Sequence, residues 1–295
     1  MRSTSYPTSA GPEPARRRVL RPDVHSGTVA LVTGGGTGIG RATALDLAAA
    51  GASVVVCGRR ADPLEETRQA VAELGGSCLA VPADIREEEQ VTNVVDRALE
   101  AYGRIDVLVN NAGGQFSAPA EEISPKGWRA VHRLAVDAAW AVTREVARRA
   151  MIPQCSGVVV FVGFSPRRGI PGFAHAASAR AAVENLASGL SQEWSRYGIR
   201  TICVAPGTIA TEGLAENYSE AERRSWGPSV PLGRFGRPED VSEVIAFLAS
   251  RAGSYITGTT VVVDGGADAW GAGRAVPARA EPRRESGDGD ANHAP

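Results

Sequence analysis

This chain has no cysteine pair that could form a clip. Its four cysteines, Cys57, Cys78, Cys155 and Cys203, lie far apart, with no C-x-x-C unit and no spacing suited to a metal. A disulfide framework and a zinc or iron–sulfur module are therefore excluded, and no metal is expected. Three of the four sit in apolar, strand-like runs, which reads as small buried side chains in a reducing cytoplasm. Long apolar runs are absent too. No stretch approaches the roughly eighteen apolar residues a membrane helix needs. Neither sign of charge dominates: 32 Lys and Arg face 33 Asp and Glu, for a net charge of -1. No broad basic field argues for nucleic acid or an anionic membrane. The opening segment MRSTSYPTSAGPEPARRRVL has no apolar stretch of the kind a secretory signal carries. No internal repeat is found.

Between the two ends, apolar runs alternate with amphipathic ones. The strand-like runs are TVALVT (28–33), SVVVC (53–57), SCLAVP (77–82), IDVLVN (105–110), GVVVFVG (157–163), IRTICVAP (199–206) and TTVVVDG (259–265). PLEETRQAVAEL and REEEQVTNVVDRALEAYG place apolar residues at helical spacing opposite a charged face. Strands that are apolar throughout are buried on both faces, which requires a parallel sheet covered by helices on each side. The expected fold is an α/β, Rossmann-like doubly wound sheet of seven strands in a single domain over 26–268. Residues 1–25 and 269–295 are rich in Pro, Gly and charge and read as a disordered arm and tail.

TVALVTGGGTGIGRATALDLAAAG reads as strand, glycine turn and helix. Gly34, Gly38 and Gly40 let the chain turn tightly, and Thr37 and Ile39 lie on the same turn. The unpaired N–H groups and positive dipole end of the helix then suit a pyrophosphate. The second strand ends in CGRR, without the carboxylate that would bind the ribose hydroxyls of NAD. Arg59, with Arg60 beside it, suits the 2′-phosphate of NADP(H), unless both are solvated surface charges. Asp84 is placed to meet the adenine edge, to cap a helix starting at Arg86, or both.

Taken together, TGGGTGIG, NNAG (110–113) and APG (205–207) resemble the short-chain dehydrogenase/reductase family over about residues 24–267. The resemblance implies that Asn110, Ala112 and Gly113 support the sheet and line the adenine–ribose side. It implies that Pro206, Gly207 and Ile209 run along the nicotinamide. NNAGGQFSAPAEEISPKGWRAV and AENYSEAERRSWG resemble the peroxisomal trans-2-enoyl-CoA reductase branch, and HAASARAAVENL and ATEGL the neighbouring 2,4-dienoyl-CoA reductases. Both branches use NADPH to reduce carbon–carbon double bonds of acyl-CoA thioesters.

The family's catalytic set of Asn, Ser, Tyr and Lys is substituted throughout. By alignment with its motifs, Asn falls on Ala135 and Ser on Pro166, with Ser165 beside it. The Tyr-x-x-x-Lys pair falls on Ala176 and Arg180. Carbonyl reduction needs an acid at the developing alkoxide, and alanine cannot be one. Reduction of an enoyl thioester builds its charge on the thioester oxygen while the proton ends on carbon, so the donor is not tied to one tyrosine. The remaining candidates are Arg180 for the cofactor ribose, His175 as donor and Ser165 as oxyanion donor. Ser178, Asp137, Arg167 and Arg168 read more simply as helix or loop surface.

Residues 208–235 form the segment expected to cover the substrate, with Leu214, Tyr218, Trp226 and Leu232 as an apolar lid and Arg223 and Arg224 as solvated or phosphate-facing charges. The family resemblance implies a homodimer or homotetramer and a small-molecule substrate, such as a CoA or carrier-bound thioester. Three functions stay open: an NADP(H)-dependent reductase of an activated double bond, a cofactor-binding or regulatory protein without turnover, and a non-redox dehydratase- or cyclase-like enzyme.

Overall fold

The computed structural model describes residues 20–165, 169–220, 223 and 230–270. The strands are β1 (Val29–Thr33), β2 (Ser53–Gly58), β3 (Cys78–Pro82), β4 (Val107–Asn110), β5 (Gly157–Val162), β6 (Ile199–Pro206) and β7 (Thr260–Val263). Each lies within one of the seven apolar runs or at most one residue beyond it. All pair in parallel in one sheet of order β3-β2-β1-β4-β5-β6-β7.

Alternation along each strand sends side chains to two separate cores. Leu31, Val55, Leu108, Val159 and Phe161 face one helix layer, while Ala30, Val32, Val54, Val109 and Val160 face the other. The first layer is α3 (Glu88–Tyr102), the chain from α4 (Pro125–His132) to α5 (Ala138–Val146), and the long α7 (Ala174–Trp194). A short α6 (Ile152–Gln154) leads into β5. The second layer is α1 (Gly38–Ala49), α2 (Ala61–Glu73) and α9 (Pro238–Ala249); α8 (Glu212–Asn217) lies over the sheet's C-terminal edge, and α10 (Ala267–Trp270) follows β7. Pro238 occupies the first turn of α9, where its missing N–H costs nothing, and the Asp240 carboxylate accepts from Arg237 N–H at 2.7 Å.

Between α4 and α5 the helix widens into a π turn over Arg133–Asp137. The extra residue splits neighbouring side chains: Leu134 reaches the cleft at the sheet edge, Ala135 turns into a buried apolar cluster, and Asp137 stays exposed. Among the described residues no helix is long and apolar enough to cross a membrane, and no three His, Cys, Asp or Glu side chains gather for a metal. Cys57 and Cys203 are buried, Cys78 is half-buried and Cys155 is exposed, and none of the four is in a disulfide among the described residues. Burial pushes the Cys57 thiol up to about 12.

The folded region begins before residue 26. Leu20 packs on the second core, and His25 is buried, its backbone N–H given to Ala50 O at 2.8 Å and its Nε2–H to Ala246 O at 3.0 Å. The composition that suggested a loose arm hid this, because the anchoring rests on two side chains, Leu20 and His25, in an otherwise polar segment. Residues 1–19 and 271–295 lie outside the described residues.

Burial holds the His25 pKa below its ordinary value. The unfolded chain then binds a proton at a pH where the folded one does not. The stability this group contributes is present above about 6.5 and is lost as the pH falls toward the folded value. The melting temperature is expected to drop as the pH is lowered from about 7.5 to about 5.5, and His25→Gln should flatten part of that slope. An unchanged slope in the variant would place the effect elsewhere.

Candidate cofactor and active site

The sheet order reverses at β1, where one crossover leads outward to β2 and the other to β4, leaving a crevice at the strand ends. The glycine turn fills its base. Gly34 (φ 65°) and Gly38 (φ 51°) adopt the left-handed backbone that glycine takes without strain. A Cβ on Gly40 would strike the Gly34 carbonyl and the Asn111 amide, so the first turn of α1 sits directly on the loop. Thr37 is the N-cap of α1, and its hydroxyl makes no capping bond.

Thr33 and Asn111 clasp this turn to the end of β4. The Thr33 hydroxyl donates to Val109 O at 3.3 Å and accepts the Asn111 and Ala112 N–H groups, each at 3.0 Å. Asn111 Nδ2 donates to Thr33 O and Gly34 O, at 3.0 and 3.2 Å.

A cleft of about 350 Å³ opens above the clasp. Gly34, Thr37, Gly38 and Ile39 form its floor, Arg59 and Arg60 one end, and Asp84, Ala112 and Gly113 its wall. These nine expected cofactor residues therefore meet in one place. Six of the expected positions, Gly40, Asn110, Arg180, Pro206, Gly207 and Ile209, do not line it. Gly40 packs beneath the turn. Asn110 turns the other way: its Nδ2 donates to Thr143 Oγ1 at 2.8 Å on α5, and Asn111 takes the cleft side. Ile209 is buried in the second core and bridges to Gly236. Pro206 and Gly207 sit further along, at the end of β6. Gly207 has no room for a Cβ against Asp264, and Pro206 O accepts Ser165 N–H at 2.8 Å.

Asp84 does not cap a helix at Arg86. α3 begins at Glu88 with Glu87 as its N-cap, and Asp84 instead accepts Arg86 N–H at 3.1 Å, two residues on. The Arg86 guanidinium pairs with its carboxylate at 2.5 Å and holds it down at about 2, with Arg59 adding a smaller pull. Arg59 and Arg60 are both exposed at the cleft mouth.

The lid brings the residue that the motifs did not single out. Glu212, first in α8, accepts Gly38 N–H at 3.3 Å, and Thr211 packs beside Gly38. A carboxylate thus stands at the positive end of α1, where a pyrophosphate was expected. These partners are 174 residues apart in sequence, and only the fold joins them. Leu232 is 70% exposed and is no part of an apolar cover. Trp226, Arg224, Pro166, Arg167 and Arg168 lie outside the described residues.

The catalytic candidates separate. Arg180 points inward: Nη1 donates to Val162 O at 2.7 Å, and a Cβ on Gly113 would overlap the guanidinium. Burial pulls its pKa down, yet a guanidinium keeps its charge. No carboxylate pairs with it among the described residues. Ser165 gives its one hydroxyl proton to Asp264 Oδ2 at 2.5 Å, so it has none for an oxyanion. His175 is buried under Phe116, ring centroids 4.3 Å apart, and both ring nitrogens are shut from solvent, with no hydrogen-bond partner among the described residues. Burial, then the neighbouring His132, lowers its pKa and keeps it neutral. It does not line the cleft. Ala135 and Ala176, expected from the sequence to hold the places of the family's Asn and Tyr, join Val131, Phe173 and Ala179 in an apolar cluster.

A family model described as Enoyl-(Acyl carrier protein) reductase matches residues 34–268. A probable 2,4-dienoyl-CoA reductase of Bacillus subtilis is 37% identical over 241 residues, 80% of this chain and 94% of that protein. Among solved structures, the citronellol catabolism dehydrogenase of Pseudomonas aeruginosa superposes with a TM-score of 0.76 at 39% identity, covering 85% of this chain and 98% of that one. A putative NAD(P)-dependent gluconate 5-dehydrogenase from Beutenbergia cavernae, with NADP bound at low occupancy, gives 0.79 at 39% identity, over 84% and 100%. By fold, motifs and these relatives, the chain belongs to the short-chain dehydrogenase/reductase family.

Proposed function

We propose that this protein is an NADP(H)-dependent reductase of an activated carbon–carbon double bond, most simply that of an enoyl thioester. The observation that supports the reading is one juxtaposition: a cleft lined by nine of the expected cofactor residues, and an apolar cluster around Ala135 and Ala176 that offers no acid for a ketone. The relatives named as dienoyl-CoA reductases and the NADP-bound structural neighbour support it. The cleft fits the cofactor. Glu212 marks the anion seat at the α1 N-terminus with its own carboxylate, and Gly113 leaves room for nothing between itself and Arg180.

Bound NADPH supplies a hydride to the β-carbon. The chain does the rest. Arg59 and Arg60 hold the 2′-phosphate through charge-assisted bonds. The α1 N-terminus takes the pyrophosphate once Glu212 has swung away, and Asp84 faces the adenine edge. Arg180 holds the nicotinamide ribose, a buried cation with donors to spare. The apolar cluster keeps water from the reacting carbons. Four cysteines without a disulfide among the described residues suit a reducing cytoplasm, and the family resemblance favours a homo-oligomer.

A second reading is a cofactor-binding protein without turnover, and the alanines at both acid positions favour it. Mixing the protein with NADPH and a panel of 2-enoyl- and 2,4-dienoyl-CoA thioesters decides between them. Loss of NADPH absorbance with at least one thioester is expected; tight NADPH binding with no oxidation across the panel would favour the second reading. Arg59→Ala should weaken NADPH binding about 10- to 100-fold while leaving NADH nearly unchanged, as read by fluorescence titration. Equal losses for both cofactors would remove the 2′-phosphate assignment. Glu212→Gln should tighten NADPH binding about two- to fivefold, because a competing anion leaves the helix end; weaker binding would make Glu212 a support of the closed lid.

A further inference from the structure

A second, smaller cleft of about 210 Å³ opens off the phosphate end of the first. Thr37, Arg60 and Glu212 line both, while Arg41, Glu66 and Glu216 line only the second. Arg41 is the fourth residue of α1, one turn beyond the N-cap Thr37, and its backbone N–H donates to Thr37 O at 3.1 Å. A cation in this first turn opposes the positive end of the helix, so helix stability does not explain it. Its side chain is half-buried, its Nε–H is shut from solvent, and nothing among the described residues accepts from that N–H. A buried donor left open has lost its water and gained nothing in return. Three carboxylates share the cleft, yet none of them bonds Arg41 Nε. One of the three, Glu212, instead accepts Gly38 N–H at 3.3 Å, three residues earlier on the same helix.

We propose that Arg41 is a positioning residue for cofactor entry: it receives the Glu212 carboxylate when the pyrophosphate of NADPH takes Gly38 N–H. This rests on the NADPH reading above. Glu212 lines both clefts, so the exchange needs only a rotation of its side chain, and α8 stays where it is. Without a second seat, the arriving pyrophosphate would leave a carboxylate beside it, like charges at close range. With Arg41 as that seat, the carboxylate is neutralised, the open Nε–H gains an acceptor, and the helix end passes to the cofactor. Glu66 and Glu216 border the same cleft, but neither occupies the pyrophosphate seat, so cofactor binding displaces neither.

The test is a double-mutant cycle in the full chain, with NADPH affinity read by fluorescence titration at about 0.15 M salt. Arg41→Met keeps the bulk of the stem and removes both charge and donors. In the wild-type background it is expected to weaken NADPH binding about two- to fivefold, the range of a partly exposed ion pair. Arg41→Lys, which keeps the charge, should retain most of the affinity. In a Glu212→Gln background no carboxylate needs a seat, and Arg41→Met should then have almost no effect. An equal loss in both backgrounds means that Arg41 attracts the phosphates directly and overturns the exchange, while the NADPH reading stands. No loss in either background overturns it as well. A wild-type protein that binds no NADPH overturns the cofactor reading, and the exchange with it.

Discussion

At the C-terminal edge of the sheet, one hydroxyl receives two backbone N–H groups and gives its proton to a third chain atom. Thr33 does this between β1 and the loop after β4, and Asn111 answers by donating to Thr33 O and Gly34 O. The clasp is what makes the crevice a site. It fixes the glycine turn against the Ala112–Gly113 segment, so the α1 N-terminus and the Arg180 pocket keep a constant separation. Without it, the two halves of the cleft would be joined only by sheet hydrogen bonds further down. The rest of the cofactor geometry is built outward from that point.

The elements were readable because burial on both faces leaves an unmistakable mark. Val29–Thr33 and Gly157–Val162 are buried at every position, and a run with no polar interruption has no other stable use in a chain of this composition. The cofactor end was readable for a related reason: glycines in the left-handed region and beneath Asn111 cannot be replaced by anything larger. What the chain order does not carry is the direction of a side chain at a strand end. Asn110 and Asn111 are adjacent, yet one bonds α5 and the other the glycine turn, and pleat alone decides which. Contacts between distant segments were equally hidden. Ser165 with Asp264, Glu212 with Gly38, and Tyr218 with the alanine cluster are set by the return of the lid over the sheet, not by any local pattern.

The reacting end shows a trade between polarity and shape. Helix α7 carries the inward Arg180 together with Ala176 and Ala179, which pack with Ala135 in an apolar cluster. An inward guanidinium with a backbone carbonyl as partner and no carboxylate costs solvation that only a polar or anionic ligand can return. The buried alanines of the neighbouring cluster are the reverse, side chains that gain by excluding water.

Glu212 also bears on how ligands leave. A helix N-terminus stripped of its anion exposes bare N–H groups, and that exposure is a barrier to release. Here a carboxylate waits within hydrogen-bond distance of Gly38 on a short, exposed helix. Departure of a phosphate from that end can then proceed by substitution, with one anion arriving as the other goes. A carboxylate held there competes with an arriving phosphate and can take the place of a departing one.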